Sequence, residues 1–238
     1  MTWLLIFFPA LLGGFVQGLT GFGAVIIMMI FFPAILPIDQ AAGIGGVSLL
    51  VSMIGLVWRY HRDFHLKQVV GPFIVYAAVA TWSVHLSHVL DTHIMRLLLG
   101  GLLVMLYLYF TLVKNAGNRH YPWYVALCFM IISGFFNALL GTGGPLMALY
   151  FLSRSHSIPE YTANIQGFFL IDVFYINSVR VANGILVPHD APYILVGMVA
   201  ATIGTVIAAR IAARLDDATF RKWIYRFIGI AGVYYLIF

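Results

Sequence analysis

Two glycine-rich stretches hold the residues best suited to bind a ligand. The first reads Gln17-Gly18-Leu19-Thr20-Gly21-Phe22-Gly23 and the second Asn137-Ala138-Leu139-Leu140-Gly141-Thr142-Gly143-Gly144-Pro145. A glycine inside a helix costs about 1 kcal/mol relative to alanine, so glycines at this density end one helix and let the backbone expose its N–H groups. A new helix is expected after each break, and Pro145 suits a first helical turn, where its missing N–H would have no partner anyway. Free N–H groups at the positive end of a helix dipole form an anion site. The Thr20 and Thr142 hydroxyls and the Gln17 and Asn137 amides add neutral donors. The expected binding set is therefore Gln17, Thr20, Gly21, Phe22 and Gly23 from the first break, with Asn137, Gly141, Thr142, Gly143 and Gly144 from the second. The plainer alternative is that these glycines only permit close helix packing.

The span Tyr161 to Val181 is the most polar part of an otherwise apolar chain and carries Asn164, Gln166, Asp172, Asn177 and Arg180. Asp172 is the single acid well inside an apolar run, and an ionisable residue at membrane depth is expensive and commonly functional. Two readings are open for it: carrying a proton coupled to an anion, or holding an Asn, Tyr or Arg on a neighbouring helix. Asn164, Gln166 and Arg180 join it as candidates for coupling or gating. Arg180 is eight residues from Asp172, about 12 Å along a helix, so the two do not form a simple intrahelical pair. Arg180 and Arg96, near the outer ends of their segments, are expected to reach the headgroups, and Arg180 also suits drawing anions toward an outer mouth. Cys128 is expected to be a buried, inert thiol, and His85 and His88 interfacial residues, since no third metal ligand accompanies them. Trp3, Trp58, Tyr121, Trp123 and Trp223 fit an interfacial aromatic belt.

The elements that must position these groups follow from composition. Of 238 residues 62% are hydrophobic and 9% charged, against about 25% charged in soluble domains, which excludes a soluble fold. The absence of ten-residue alternating segments excludes an outer-membrane barrel. The net charge of +5 is confined to short loops, so it points to membrane topology and not to nucleic acid. The start of the chain lacks a basic leader and a cleavage site and is read as retained membrane structure. Apolar runs cover Trp3 to Leu19, Thr20 to Leu36, Ala41 to Trp58, Val69 to Val89 and Ile94 to Val113. A second set covers Trp123 to Leu140, Gly141 to Leu152, Tyr161 to Val181, Tyr193 to Ala213 and Phe220 to Phe238. The sets correspond: GFVQGLTGFG at Gly14 to Gly23 aligns with GFFNALLGTG at Gly134 to Gly143, placing Gln17 opposite Asn137. Leu90-Asp91 likewise matches Leu215-Asp216, with an insertion near Val187 to Asp190 accounting for the drift.

The predicted fold is therefore an all-α, polytopic helical membrane protein of two inverted repeats, residues 1–116 and 117–238, each with a Gly-broken re-entrant helix pair and three spanning helices. The 12-residue run Gly141 to Leu152 rises about 18 Å, too short for a hydrocarbon core of about 30 Å. If each broken pair returns to its own side, Arg59, Arg62, Lys67, Lys114, Arg119, Arg154, Arg214, Arg221 and Lys222 all fall on one face. That face is then cytoplasmic and both termini lie outside.

Gly14-Phe15, Gly18-Leu19-Thr20-Gly21-Phe22-Gly23, Gly134-Phe135 and Gly141-Thr142-Gly143-Gly144 resemble the doubled motif of the sulfite exporter TauE/SafE family of bacterial inner-membrane transporters. The resemblance covers essentially the whole chain. It implies movement of a small sulfur-containing or carboxylic anion, such as sulfite or an organosulfonate, across the cytoplasmic membrane. Ala24 departs from the pattern, standing where Gly144 stands in the second half. The expected partners are this small anion and the lipid bilayer, with no cofactor, no metal and no nucleic acid; self-association is left open. With no GxxxxGK[ST] motif, energy is expected from a gradient and the mechanism from alternating access. An anion channel is the nearest alternative. An intramembrane enzyme fits less well, because one deep acid and unclustered histidines supply no catalytic set.

Overall fold

The computed structural model describes residues 2–87, 91–113, 121–211, 229–230 and 232–237, and every regular element among them is helical. The helices are α1 (Thr2–Thr20), α2 (Ala24–Phe31), α3 (Ile38–Ser48), α4 (Leu50–Arg59), α5 (Leu66–Ser87) and α6 (Thr92–Leu112). They continue with α7 (Trp123–Leu140), α8 (Gly144–Arg154), α9 (Ile158–Ala182) and α10 (Ala191–Ile211), and short 3-10 turns occupy Phe32–Ala34, His61–Asp63 and Pro188–Asp190. Among the described residues six stretches are long and apolar enough to cross a membrane: Trp3–Thr20, Ile38–Arg59, Leu66–Leu86, Trp123–Leu140, Pro159–Ala182 and Pro188–Ala208. The helices that follow the two breaks, Ala24–Phe31 and Gly144–Arg154, are only 8 and 11 residues long.

Contacts between connections define the two ends of the bundle. At one end Gln40 Nε2 donates to Asp190 Oδ1 at 2.7 Å, and the Trp3 and Tyr193 rings pack with centroids 5.2 Å apart. This end gathers the starts of α1, α3 and α10. At the other end the His65 amide donates to Asn164 Oδ1 at 2.8 Å, and the His65 ring lies 3.7 Å from Glu160. The chain therefore leaves the first end in α1 and is back at it by Ile38. It returns to the second end in the same manner. The Tyr121 hydroxyl, just before α7, is 3.4 Å from that of Tyr109 near the end of α6, and α8 ends at Arg154, beside His156, whose amide donates to Glu160. Arg59, Arg62, Lys67 and Arg154 are all exposed at this second end. Lys114, Arg119, Arg214, Arg221 and Lys222 lie outside the described residues, as do His88, Trp223 and the matched pair Leu215-Asp216.

Helices in a membrane gain little from hydrophobic exclusion and associate where small residues let backbones approach. Gly14 of α1 lies directly against the backbone carbonyl of Ala201 in α10, and Gly134 of α7 directly against that of Tyr76 in α5. A side chain at either glycine would collide with main chain. α3 and α4 form one span interrupted at Leu49; just before it the Ser48 hydroxyl donates to the Ile44 carbonyl at 2.7 Å, a bond that bends helices. α9 starts cleanly because Ser157 Oγ accepts from the Glu160 amide and the Glu160 carboxylate accepts from His156, a variant of the capping box. Trp3, Trp58 and Trp123 are exposed at helix ends, as a belt requires. Cys128 is exposed on α7, contrary to the expected burial, because it lies away from the helix face that carries the buried Ala126, Met130, Ser133 and Asn137.

The glycine contacts give a direct test. Gly134→Ala is expected to lower the thermal unfolding temperature of the detergent-solubilised protein by several degrees, since overpacking costs about 1–3 kcal/mol. Gly55→Ala, where no described atom lies within 4 Å of the added carbon, is expected to be neutral or slightly stabilising. Equal unfolding temperatures for the two variants would show that close approach at Gly134 contributes nothing.

Candidate functional site

Both breaks are built alike. The Gly21 amide donates to the Gln17 carbonyl and the Gly141 amide to the Asn137 carbonyl, each at 2.8 Å. Each bond closes the last turn of its helix onto a glycine of positive φ, +81° at Gly21 and +67° at Gly141, the left-handed helix ending that favours glycine. Three residues later a new helix starts. Neither Gly23 before α2 nor Gly143 before α8 supplies a side-chain cap, so the first N–H groups of both helices are left for another partner.

The carbonyl ends of α1 and α7 are held by one element, α9. Gln166 Nε2 donates to the Gly21 carbonyl at 2.7 Å, while its Oε1 accepts from Gln17 Nε2 at 3.1 Å. The Tyr161 hydroxyl donates to the Thr20 carbonyl at 3.2 Å. At the other break Arg180 Nη2 donates to the carbonyls of Asn137 at 3.0 Å and Ala138 at 2.7 Å, and Nη1 donates to Asn177 Oδ1 at 3.2 Å. A cation on a helix C-terminus is favoured by the helix dipole as well as by hydrogen bonding. Arg180 is 1% exposed. It does not reach toward headgroups as its place near a segment end suggested, because folding puts the helix-end carbonyls of α7 within its reach. Asn137 Nδ2 donates to Asp172 Oδ2 at 2.8 Å, so Asn137 receives Arg180 on its backbone and gives to Asp172 from its side chain. No direct ion pair joins Asp172 to Arg180 among the described residues.

Between the breaks lies a cavity of about 50 Å³ in which a water-sized sphere can move, room for a few waters or one small oxyanion. The first turn of α2, the start of α8, α3, α4 and α9 all border it. Three buried polar atoms of its lining residues have no hydrogen-bond partner among the described residues: Thr142 Oγ1, Arg180 Nε and Asp172 Oδ1. The Tyr76 hydroxyl approaches Asp172 from α5 without meeting hydrogen-bond geometry.

Of the residues expected to bind, Gln17, Phe22, Gly23, Asn137, Gly141, Thr142 and Gly144 line this cavity, together with Asp172 and Arg180. The others sit beside it. The Thr20 hydroxyl is engaged by its own break, donating toward the Val16 and Phe22 carbonyls. Gly21 presents its carbonyl to Gln166, and Gly143 packs directly against the Ser133 carbonyl. Asn164 belongs to the second end of the bundle, where it accepts from His65 and donates to Gln68. Residues not singled out from the sequence also border the cavity, notably Asn177, Gly46 and Phe169. Asn177 was visible as a polar residue one turn before Arg180. Gly46 and Phe169 carried no signal, since they resemble every other apolar position.

The sulfite exporter TauE/SafE profile matches residues 6–235, nearly the full length. The chain belongs to the sulfite exporter TauE/SafE family. No curated protein and no solved structure gives a significant match. TauE/SafE membership and six membrane-length apolar helices make this a multi-pass membrane protein of a transport family. The two breaks, the α9 caps and the cavity all fall within the TauE/SafE match.

Loss of the α9 cap is measurable. Arg180→Met removes three hydrogen bonds, leaving the Ala138 carbonyl without its Arg180 donor and the Asn137 carbonyl with the Gly141 amide alone, a loss of about 3 kcal/mol or more. The unfolding temperature, followed by tryptophan fluorescence, is expected to fall by several degrees, while exposed Lys67→Met leaves it unchanged. Equal stability of the two variants would contradict the capping role.

Proposed function

We propose that the protein is a secondary transporter that carries a small anion, such as sulfite, an organosulfonate or a small carboxylate, across the cytoplasmic membrane by alternating access. One observation supports this most strongly. The uncapped N-termini of α2 and α8, and Thr142 and Arg180 with their unpaired Oγ1 and Nε, border one cavity. Donors without acceptors, gathered where helix dipoles end, suit an oxyanion. The sulfite exporter description of the family points to the same class of cargo.

The transporter is read as two inverted halves, residues 1–116 and 117–238. In support, α1 and α2 start and finish at one end of the bundle while α7 and α8 start and finish at the other. The helix pairs also correspond: Gly14 on Ala201 and Gly134 on Tyr76 join the first helix of each half to the other half. Gln17 and Asn137 take the same place in the two breaks. Rocking one half against the other would expose the cavity to each side in turn. The basic end bearing Arg59, Arg62, Lys67 and Arg154 is placed in the cytoplasm by the positive-inside rule, with both termini outside. Asp172, touching Asn137 at the cavity wall, is the candidate for coupling to protons.

Counterflow in proteoliposomes tests this reading. Vesicles preloaded with unlabelled sulfite are expected to accumulate labelled sulfite transiently, which a channel does not do. Thr142→Leu removes a cavity donor and fills the space, and exchange is expected to fall at least about tenfold with membrane insertion and unfolding temperature retained. Gly143 is unsuited to this test, because a side chain there would strike the Ser133 backbone. Undiminished exchange by Thr142→Leu would remove the cavity from the pathway.

A further inference from the structure

Asp172 faces the cavity with a charge pattern opposite to that of its neighbours. Thr142 Oγ1, Arg180 Nε and the first N–H groups of α2 and α8 are donors, while the free atom of Asp172 is an acceptor. Oδ2 is taken by Asn137, and Oδ1 is buried and accepts from no group among the described residues. Arg180 makes no hydrogen bond to it, since both of its terminal nitrogens are committed to Asn137, Ala138 and Asn177, and it acts on the carboxylate only through space. A bare anionic oxygen placed about 4 Å from this carboxylate would meet a repulsion of about 4 kcal/mol at an effective dielectric of 20. A hydroxyl in the same place would instead donate to Oδ1. An oxygen with two lone pairs can take such a donor even if Tyr76 also approaches.

We propose that the cavity selects a small monoanion that carries its own hydroxyl donor beside the oxyanion group. The oxyanion is received by Thr142, Arg180 Nε and the two helix N-termini, and the hydroxyl by Asp172 Oδ1. This rests on the anion-carrier reading of the same cavity and narrows it from any small anion to hydroxy-bearing ones.

The test compares ligands that differ only by hydroxyl against methyl: glycolate with propionate, and isethionate with 1-propanesulfonate. Affinities are measured by calorimetry on the full chain in lipid nanodiscs, with sulfite as a reference anion. The hydroxy member of each pair is expected to bind at least about tenfold more tightly, as befits a hydrogen bond to a charged group. Asp172→Asn keeps an acceptor for Asn137 but turns an amide N–H toward the cavity, and the preference is expected to shrink to within about twofold. Thr142→Val is expected to weaken both members of a pair alike and leave their ratio intact. If Asp172→Asn does not fold, the wild-type ratio and the Thr142→Val pair decide the matter. Equal affinities within the pairs in the wild type overturn the proposal, as does an unchanged ratio in Asp172→Asn. Binding of sulfite with neither pair overturns it while leaving the anion reading in place, and binding of no anion at all removes both.

Discussion

A backbone that stops being helical inside a membrane frees carbonyls and N–H groups that lipid cannot hydrogen-bond, so the protein itself or a cavity must receive them. The two glycine-rich breaks, after Thr20 and after Leu140, are such places, and most of the polar interior among the described residues follows from them. The freed carbonyls of α1 are met by Gln166 and Tyr161, and those of α7 by Arg180. The freed N–H groups at the starts of α2 and α8 receive no side-chain cap and border the cavity instead. Carbonyls are satisfied by the fold, whereas donors are left available. That asymmetry underlies the proposed preference of the cavity for negative charge.

The polarity of α9 is explained by the same need. A helix carrying Asn164, Gln166, Asp172, Asn177 and Arg180 would be costly facing lipid, yet all five are buried against other parts of the protein. Its length lets it serve both breaks, with Tyr161 and Gln166 at one level and Arg180 at another. Arg180 is the clearest case. The helix-end carbonyls that bind it are free to do so only because α7 stops at Gly141, and without that stop the buried guanidinium would keep Asn177 alone among its hydrogen-bond partners.

Where the helices cross, the controlling factor is the size of the side chain and not its polarity. Gly14 and Gly134, matched in the sequence repeat, each admit the backbone of a helix distant in the chain, α10 and α5 respectively. The same glycines that make the sequence repeat legible thus hold helices together, so close packing is compatible with the proposed ligand site. At Gly21 and Gly141 the reason for glycine is the left-handed turn, while at Gly14 and Gly134 it is interhelical distance.

Composition and periodicity were enough to establish a multi-pass helical protein, because burying this much apolar surface without charge leaves no other solution, and the Gly-rich breaks were equally plain, because helix interiors exclude such glycine density. Family membership was readable from the same motifs. What the linear chain did not contain was partner choice. Asp172 and Arg180 stand too far apart on one helix to pair, and only the return of α7 brings Asn137 between them. Thr20 and Thr142 look equivalent in the repeat, yet the first hydroxyl turns back onto its own break and the second faces the cavity unpaired. Such choices depend on how separate segments of the chain, such as α7 and α9, lie against one another, which no local pattern encodes and only the packed bundle decides.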